Sequence, residues 1–365
     1  MSSNISLEEK TGTTKFKFSW APLMKLLTPL LGILAGALVG SIIIAAKGVN
    51  PLEAYYYLLD GAFGNLENLT ASLIKTIPLG FTGLAVVFSY RAGIFNIGCE
   101  GQLYLAAVGA TIVGTSFAGL PVFIHLPLAI LAGAITGGLY ALIPGILKAY
   151  KGFNEIVVTM LMNYIATYFV SYLVQGPIKM PDQFYPQSAP ILESARLPFI
   201  IPGTRLHAGF ILLLALSIFI WWVIEKTTFG YQMRGIGLNK RAMEYGGTNA
   251  KKLLVFVMFF SGCLAGLAGA SEILGVHMRL LENFSVGLGY DAIAVALLAD
   301  LHPVGALLSA LFFGALRNGA NSMQISTGIP TAFVYIVQAL AVLFVVMSAG
   351  LPRLIKKWRR AKANA

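Results

Sequence analysis

Ten apolar stretches, most of them near the length a helix needs to cross a hydrocarbon core, constrain this chain more than any other feature. They fall at 23–46, 72–90, 97–118, 122–147, 156–175, 207–224, 253–273, 288–300, 303–316 and 330–349. About 20 residues rising ~1.5 Å each are enough to span a bilayer core. None of the stretches alternates as a barrel strand would. The pattern predicts an all-α, polytopic transmembrane helix bundle with about ten membrane segments, eight to ten of them full crossings. The composition agrees: 57% of the residues are hydrophobic and 11% charged, against about a quarter charged in soluble domains. The first stretch is longer than the ~7–15 residues of a signal-peptide core, so it reads as a permanent span.

An even number of segments puts both ends on one side, and the charge distribution chooses which. With the termini inside, nineteen of the 26 Lys and Arg residues are cytoplasmic, the asymmetry of the positive-inside rule. The net charge of +11 is thereby explained by topology rather than by nucleic-acid binding. The reading divides the chain into a cytoplasmic tail at 1–22, a membrane domain at 23–350 and a basic cytoplasmic tail at 351–365. The eighth and ninth segments are short, and Leu301-His302-Pro303 separates them. They are either two crossings or a re-entrant pair, and the parity survives both. Gly80–Phe88 and Gly289–Leu297 share three identities in nine positions, a weak trace of the duplication common in transporters.

Gly32, Gly36 and Gly40, Gly133 and Gly137, and Gly262 and Gly266 each recur at four-residue spacing. Each set lies on one helical face and predicts close helix packing in lipid. Cys99 and Cys263 both sit in apolar helical context without a CxxC, which predicts two buried thiols and neither a disulfide framework nor a zinc site.

The polar residues inside apolar surroundings are the candidates for function. Asn96, Glu100 and Gln102 occupy a Gly-interrupted junction, with Glu100 one turn into an apolar run. An ionised group there costs about 2.5–3.5 kcal/mol at full depth, which favours a structural or pathway role over a solvated loop. Asn154 opens the fifth segment, and Glu155, Thr159 and Asn163 share one face at i, i+4, i+8. That stripe faces either a neighbouring helix or a water-filled path. Asp291, Asp300, Arg317, Asn318, Asn321 and Gln324 raise the same alternatives.

Between the sixth and seventh segments lies one sizeable cytoplasmic connection, 227–250, within a loop of 225–252. Asn239 suits an N-cap, Lys240–Tyr245 a short helix and Gly246 a C′ stop. This predicts a helix parallel to the membrane surface, serving as an anionic-lipid anchor or as a dock for a cytoplasmic partner. The chain has no Gly-x-x-x-x-Gly-Lys-Ser/Thr loop, no His-Glu-x-x-His and no Gly-x-Ser-x-Gly, so neither an ATPase nor a hydrolase is expected.

Thr228-Phe-Gly-Tyr-Gln-Met-Arg-Gly-Ile-Gly-Leu-Asn-Lys-Arg-Ala-Met-Glu-Tyr-Gly-Gly247 resembles the ATPase-docking element of ABC importer permeases in the branched-chain amino acid, ribose and nucleoside branch. Asn96-Ile-Gly-Cys-Glu-Gly-Gln102 is similar to a second motif of that branch, with Cys99 where a small residue such as Ala is more usual. The stretches 154–166 and 289–305 resemble its nucleoside-type members, Asp300 being a departure. The resemblance extends over about 73–351 and implies a bacterial cytoplasmic-membrane permease without catalysis of its own. It also implies four partners: an ABC ATPase that binds the ATP and Mg, a second homologous permease, an extracellular substrate-binding lipoprotein and membrane lipid. On this reading Gly230, Arg234, Gly237, Asn239, Ala242 and Gly246 form the ATPase coupling surface. Asn96, Glu100, Gln102, Asn154, Glu155, Thr159, Asn163 and Asp291 are expected along the substrate pathway or gate, and no metal or nucleic acid is expected. A sugar or branched-chain amino acid permease is the near alternative. The alternative of a different class is an ion-driven transporter using Glu100, Glu155 and Asp291 as cation sites.

Overall fold

The computed structural model describes residues 21–344 apart from Asp182, Val286 and Ala341. The tails expected at 1–22 and 351–365 lie outside the described residues, except for Ala21 and Pro22 at the start of the first helix. The helices in chain order are α1 (Ala21–Ala46), α2 (Pro51–Phe63), α3 (Leu66–Arg91), α4 (Cys99–Thr115), α5 (Val122–Ile146) and α6 (Glu155–Gln175). There follow α7 (Gly209–Lys226), α8 (Thr228–Tyr245), α9 (Ala250–Ser271), α10 (Leu288–Leu298) and α11 (Pro303–Thr327). A short apolar helix, Ala332–Phe344, comes last. Among the described residues there are no strands, only isolated bridges at Gln187–Leu281 and Phe199–His207.

Side-chain caps begin many of these helices. Asn50, Asn65, Asn154 and Asn249 each accept a hydrogen bond from a first-turn amide, and Pro51 and Pro303 stand at the first helical position, where no amide partner is needed. Among the described residues, five helical stretches are long and apolar enough to cross a membrane: Leu66–Arg91, Val122–Lys151, Glu155–Gln175, Gly209–Lys226 and Ala250–His277. Gly32–Ala46 and Pro51–Phe63 form a sixth only as a pair bent by 119°.

The centre of the bundle is α9, packed on α3, α4 and α5. Its approach to α5 uses the small faces read from sequence: a Cβ on Gly137 would lie 2.6 Å from the Gly262 carbonyl oxygen, and one on Gly266 2.8 Å from that of Gly133. Backbones this close gain van der Waals contact that lipid cannot supply. The π turns Leu147–Lys151 and Glu272–His277 extend α5 and α9.

Three elements differ from the sequence reading. α2 has no counterpart among the ten apolar stretches. The ninth segment, expected at 303–316, continues to Thr327 as a 25-residue helix, so α10 and α11 are not a pair of short re-entrant helices. The helix expected at Lys240–Tyr245 is present beyond a kink at Asn239 (φ −155°, ψ 96°), but Thr228–Leu238 is helical as well. Its stop lies one residue later than expected. Gly247 (φ +84°) takes the left-handed position, while its amide and that of Thr248 donate to the carbonyls of Glu244 and Met243, a Schellman closure.

The two ends of the bundle are distinct. At one, the C-termini of α3 and α7, the α8 helix and the α10–α11 turn meet around Arg91 and Glu225. At the other, residues 176–208 are held by backbone bonds from Leu192 to Gly114, Ile191 to Met278 and Ser188 to Leu280, and by His125 with Ser194.

Candidate functional site

The Gly-interrupted junction before α4 is a buried polar hub. Asn96 donates to Gln102 Oε1 at 3.0 Å and to Ser261 Oγ at 2.8 Å, and Gln102 Nε2 donates back to Asn96 Oδ1 at 3.0 Å. Ser261 passes its own proton to the Ala85 carbonyl at 2.7 Å, so one network ties α3, α4 and α9 together. From α6, Asn163 accepts from the Gly101 amide and donates to the Ile97 carbonyl, both at 2.9 Å. Every amide atom of Asn96 and Gln102 that could be stranded in an apolar core has a partner, which is what makes such a network tolerable.

Glu100 links this hub to α10. Its carboxylate accepts the Ser285 hydroxyl at 2.8 Å and the Gly289 amide at 2.6 Å. α10 has no N-cap side chain of its own. Glu100 supplies that cap from another helix, where an anion also meets the positive end of the helix dipole. Gly289 has room for no side chain, because a Cβ there would strike the backbone of Cys99 and Glu100.

The segment from 278 to α10 runs antiparallel to α6. Glu282 accepts from Ser171 and from Gln175, the latter at 2.8 Å, and two turns further on Tyr290 lies close to Asn163. Asp291 pairs with Arg317 of α11 at 2.7 Å. Arg317 also lies over the Tyr335 ring, at 5.8 Å, beside a polar cavity that Lys75, Asn321 and Gln338 help to line. At its C-terminal end α10 turns through two left-handed residues, Asp300 (φ 49°) and Leu301 (φ 58°). The Leu301 carbonyl accepts from Arg91 Nε at 3.0 Å. Strain of this kind persists only where surrounding contacts enforce it.

Arg91 is also the bridge to α8. Glu225, at the end of α7, receives Arg234 of α8 in a short ion pair and Arg91 of α3 at 3.6 Å. Gly230 lies on the Val223 and Ile224 carbonyls, and Gly237 on the Arg91 carbonyl, both too close for a Cβ. Asn239 caps the second half of α8 by accepting from the Ala242 amide at 3.1 Å. Beyond this anchored base the tip is exposed, with Leu238 at 89% and Tyr245 at 93%.

The expected pathway residues are therefore mostly interior. Asn96, Gln102, Thr159, Asn163 and Glu100 are all buried and bonded to one another or to backbone. Glu155 pairs with Lys148 at 2.6 Å, while Asn154 is an exposed cap of α6. Asp291, like Glu155, is a charged group of the set that is partly exposed, and it is the more exposed of the two. Of the expected coupling set, Gly230, Arg234 and Gly237 anchor α8, Asn239 shapes it, and Ala242 and Gly246 are exposed near its tip. Sequence reasoning missed Arg91, Glu225, Ser285 and Ser261, whose partners are up to 210 positions away. It also missed Tyr164, Tyr168 and Tyr172, exposed at four-residue spacing on α6, a periodicity visible in the sequence.

A family model described as branched-chain amino acid transport system, permease component, matches residues 68–347. The guanosine ABC transporter permease NupP of Bacillus subtilis is 38% identical over 348 residues, covering 94% of this chain and 99% of that one. The glucose ABC transporter permease TsgB13 of Haloferax volcanii is 35% identical, covering 88% and 87%. The nucleoside ABC transporter permease NupB of Lactococcus lactis is 30% identical, covering 93% and 96%.

Proposed function

The chain belongs to the permease-component family of branched-chain amino acid transport systems, and from that premise we propose that it is the membrane subunit of an ATP-driven importer for nucleosides. It is a multi-pass membrane transporter subunit, not an enzyme. One observation carries the mechanism: the exposed tip of α8 is joined through Arg234, Glu225 and Arg91 to the Leu301 end of the broken helix α10. A cytoplasmic ATPase docked on Leu238, Asn239 and Ala242 would move α10 through that chain of contacts. ATP and Mg are bound by the partner, consistent with the missing phosphate loop. A second homologous permease completes the pathway, a substrate-binding lipoprotein delivers cargo at the opposite end, and lipid surrounds the bundle.

The same geometry supports ten crossings with both termini cytoplasmic. From Glu282 beside the C-terminal end of α6 to Leu301 at Arg91, an irregular half followed by the α10 helix counts as one crossing. α2 is then an excursion on the outer side. An ion-driven mechanism is disfavoured because each candidate carboxylate is engaged: Glu100 by α10, Glu155 by Lys148 and Asp291 by Arg317. Nucleosides are favoured by the guanosine and nucleoside permeases that match nearly the whole chain. Sugar import is the second reading, from the glucose permease at 35% identity.

Uptake of radiolabelled guanosine and uridine in cells with and without this chain, with glucose, ribose and leucine as competitors, tests the proposal. The expected result is uptake that depends on the chain and is competed by nucleosides alone. Competition by glucose, ribose or leucine but not by nucleosides overturns it.

A further inference from the structure

The hub leaves open which surface the cargo meets, since its polar groups are saturated by one another. α6 supplies an answer. Its exposed residues include Tyr164 at 52%, Tyr168 at 73% and Tyr172 at 64%, at i, i+4 and i+8 and so within about 80° of one another around the axis. Tyr164 and Tyr168 are no interfacial belt. They stand nine and thirteen residues into a 21-residue helix, about 13 and 20 Å along roughly 31 Å, where lipid-facing tyrosine hydroxyls would lack partners.

The lipid-facing pattern is present elsewhere for comparison. Every exposed residue of α5 from Val122 to Ile146 is apolar, Leu131, Leu139 and Ile143 among them. The tyrosine face differs from it and continues into more polar surface. Tyr290, 37% exposed, lies close to Asn163, the residue before Tyr164, and the next residue is the partly exposed Asp291 of the Arg317 pair. A partly exposed ion pair at membrane depth belongs beside water or protein, not hydrocarbon.

We propose that Tyr164 and Tyr168 of α6, with Tyr290 of α10, line the nucleoside path and receive the base by stacking. Every base has a π-face, and aromatic side chains bind bases with little sequence preference. Rings about 6 Å apart along the helix present successive stacking positions, while their hydroxyls serve the ribose. Tyr290 rides on α10, the element joined to α8, so movement of α10 alters this lining. The inference rests on the nucleoside-import reading.

Two measurements in whole cells test it. Tyr168→Cys and Tyr164→Cys are compared with the parent, whose Cys99 is buried and Cys263 partly so, and with Leu139→Cys on α5, using a charged water-soluble thiol reagent and a membrane-soluble one. The expected result is labelling of the tyrosine positions, but not of Leu139→Cys, by the charged reagent, slowed by guanosine and not by glucose. Labelling by the membrane-soluble reagent alone, labelling by neither, or labelling that guanosine does not slow each overturns the proposal. In uptake, Tyr168→Ala should raise KM for guanosine about 5- to 100-fold and Tyr168→Phe change it less than about twofold. Unchanged KM in Tyr168→Ala, with normal parental uptake, overturns the stacking face and leaves the importer standing. Absence of guanosine uptake by the parent defeats the substrate reading itself, and the proposal with it.

Discussion

Replacing Glu100 measures how firmly the inner end of α10 is held. The carboxylate satisfies the Ser285 hydroxyl and the amide of Gly289. The hydroxyl can rotate to another acceptor, but the amide is fixed in the first turn of the helix, and Gly289 is buried. Glu100→Ala strands it, and with the lost Ser285 bond this costs about 2–4 kcal/mol. Glu100→Gln keeps one oxygen for the amide and offers its NH₂ to Ser285, which can accept, so its loss is the weakening of two charge-assisted bonds, about 1–2 kcal/mol. Ser285→Ala, which removes a donor and leaves the amide capped, should cost about 1 kcal/mol. Heating the detergent-purified permease and following the fraction that stays monodisperse ranks the three. The expected order of melting is parent, Ser285→Ala, Glu100→Gln, Glu100→Ala, with several degrees between the ends. Melting of Glu100→Ala within about a degree of the parent, or no difference between Ala and Gln, would refute the capping role.

Four further outcomes follow from other contacts. Gly289→Ala drives a methyl into the Cys99–Glu100 backbone and should cost about 1–3 kcal/mol or more, read as lowered melting and lost uptake. Leu238→Asp and Tyr245→Ala alter side chains 89% and 93% exposed, so they should leave melting unchanged and weaken ATPase co-purification about 5- to 30-fold, by losing about 1–2 kcal/mol of buried apolar area. Glu225→Gln removes the charge shared by Arg234 and Arg91 and should lower transport per ATP hydrolysed, while ATPase binding persists. His207, in the connection before α7, is buried and its imidazole is pushed down to about 4 by that burial, against a smaller upward pull from Glu272. Its Nδ1 accepts the Gly209 amide at 3.3 Å, so the neutral ring is the one that fits. A depressed folded value means full stability above pH ~6.5, falling by about 3 kcal/mol as the pH drops to ~4. Melting between pH 7 and 4 should decline less in His207→Gln.

The helices were legible because ~20-residue apolar runs admit few readings, and α5 met α9 along glycine faces already visible as four-residue repeats. α2 was overlooked because Glu53, Asp60 and three tyrosines dilute its hydropathy, although Asn50-Pro51 carries a cap and a first-position proline. α11 was cut short at Leu316 because Arg317, Asn318, Asn321 and Gln324 end the apolar run. The helix continues because Arg317 pairs with Asp291 and Asn318 donates to the carbonyls of Gly61 and Asn68, while Asn321 and Gln324 are exposed. The first half of α8 was hidden by Gly230, Gly235 and Gly237, poor helix formers, two of which are needed where α8 lies directly on carbonyls of α3 and α7. For the site, the residue types were readable and their directions were not. Glu100 was marked by the cost of its charge, but its partners lie 185 and 189 positions away, beyond any local pattern.

On the proposed mechanism, the same asymmetry separates what holds the bundle from what moves in it. Glycine-faced contacts between α5 and α9 are dispersive, and sliding them costs close packing over the whole length, so they suit a fixed frame. α10 is attached differently. Its eleven residues are held at the start by Glu100, along the side by the Asp291–Arg317 pair and at the end by Arg91. Polar attachments have discrete donors and acceptors, so they can be exchanged for others without a continuum of poorly packed intermediates. Of the three, only the Arg91 tie reaches α8, through Glu225. On the proposed mechanism, force applied at the α8 tip reaches α10 at its C-terminal turn, where Asp300 and Leu301 already hold left-handed backbone. Release of that turn would relieve strain rather than create it, and the end of α10 nearest Tyr290 would respond only when Glu100 yields.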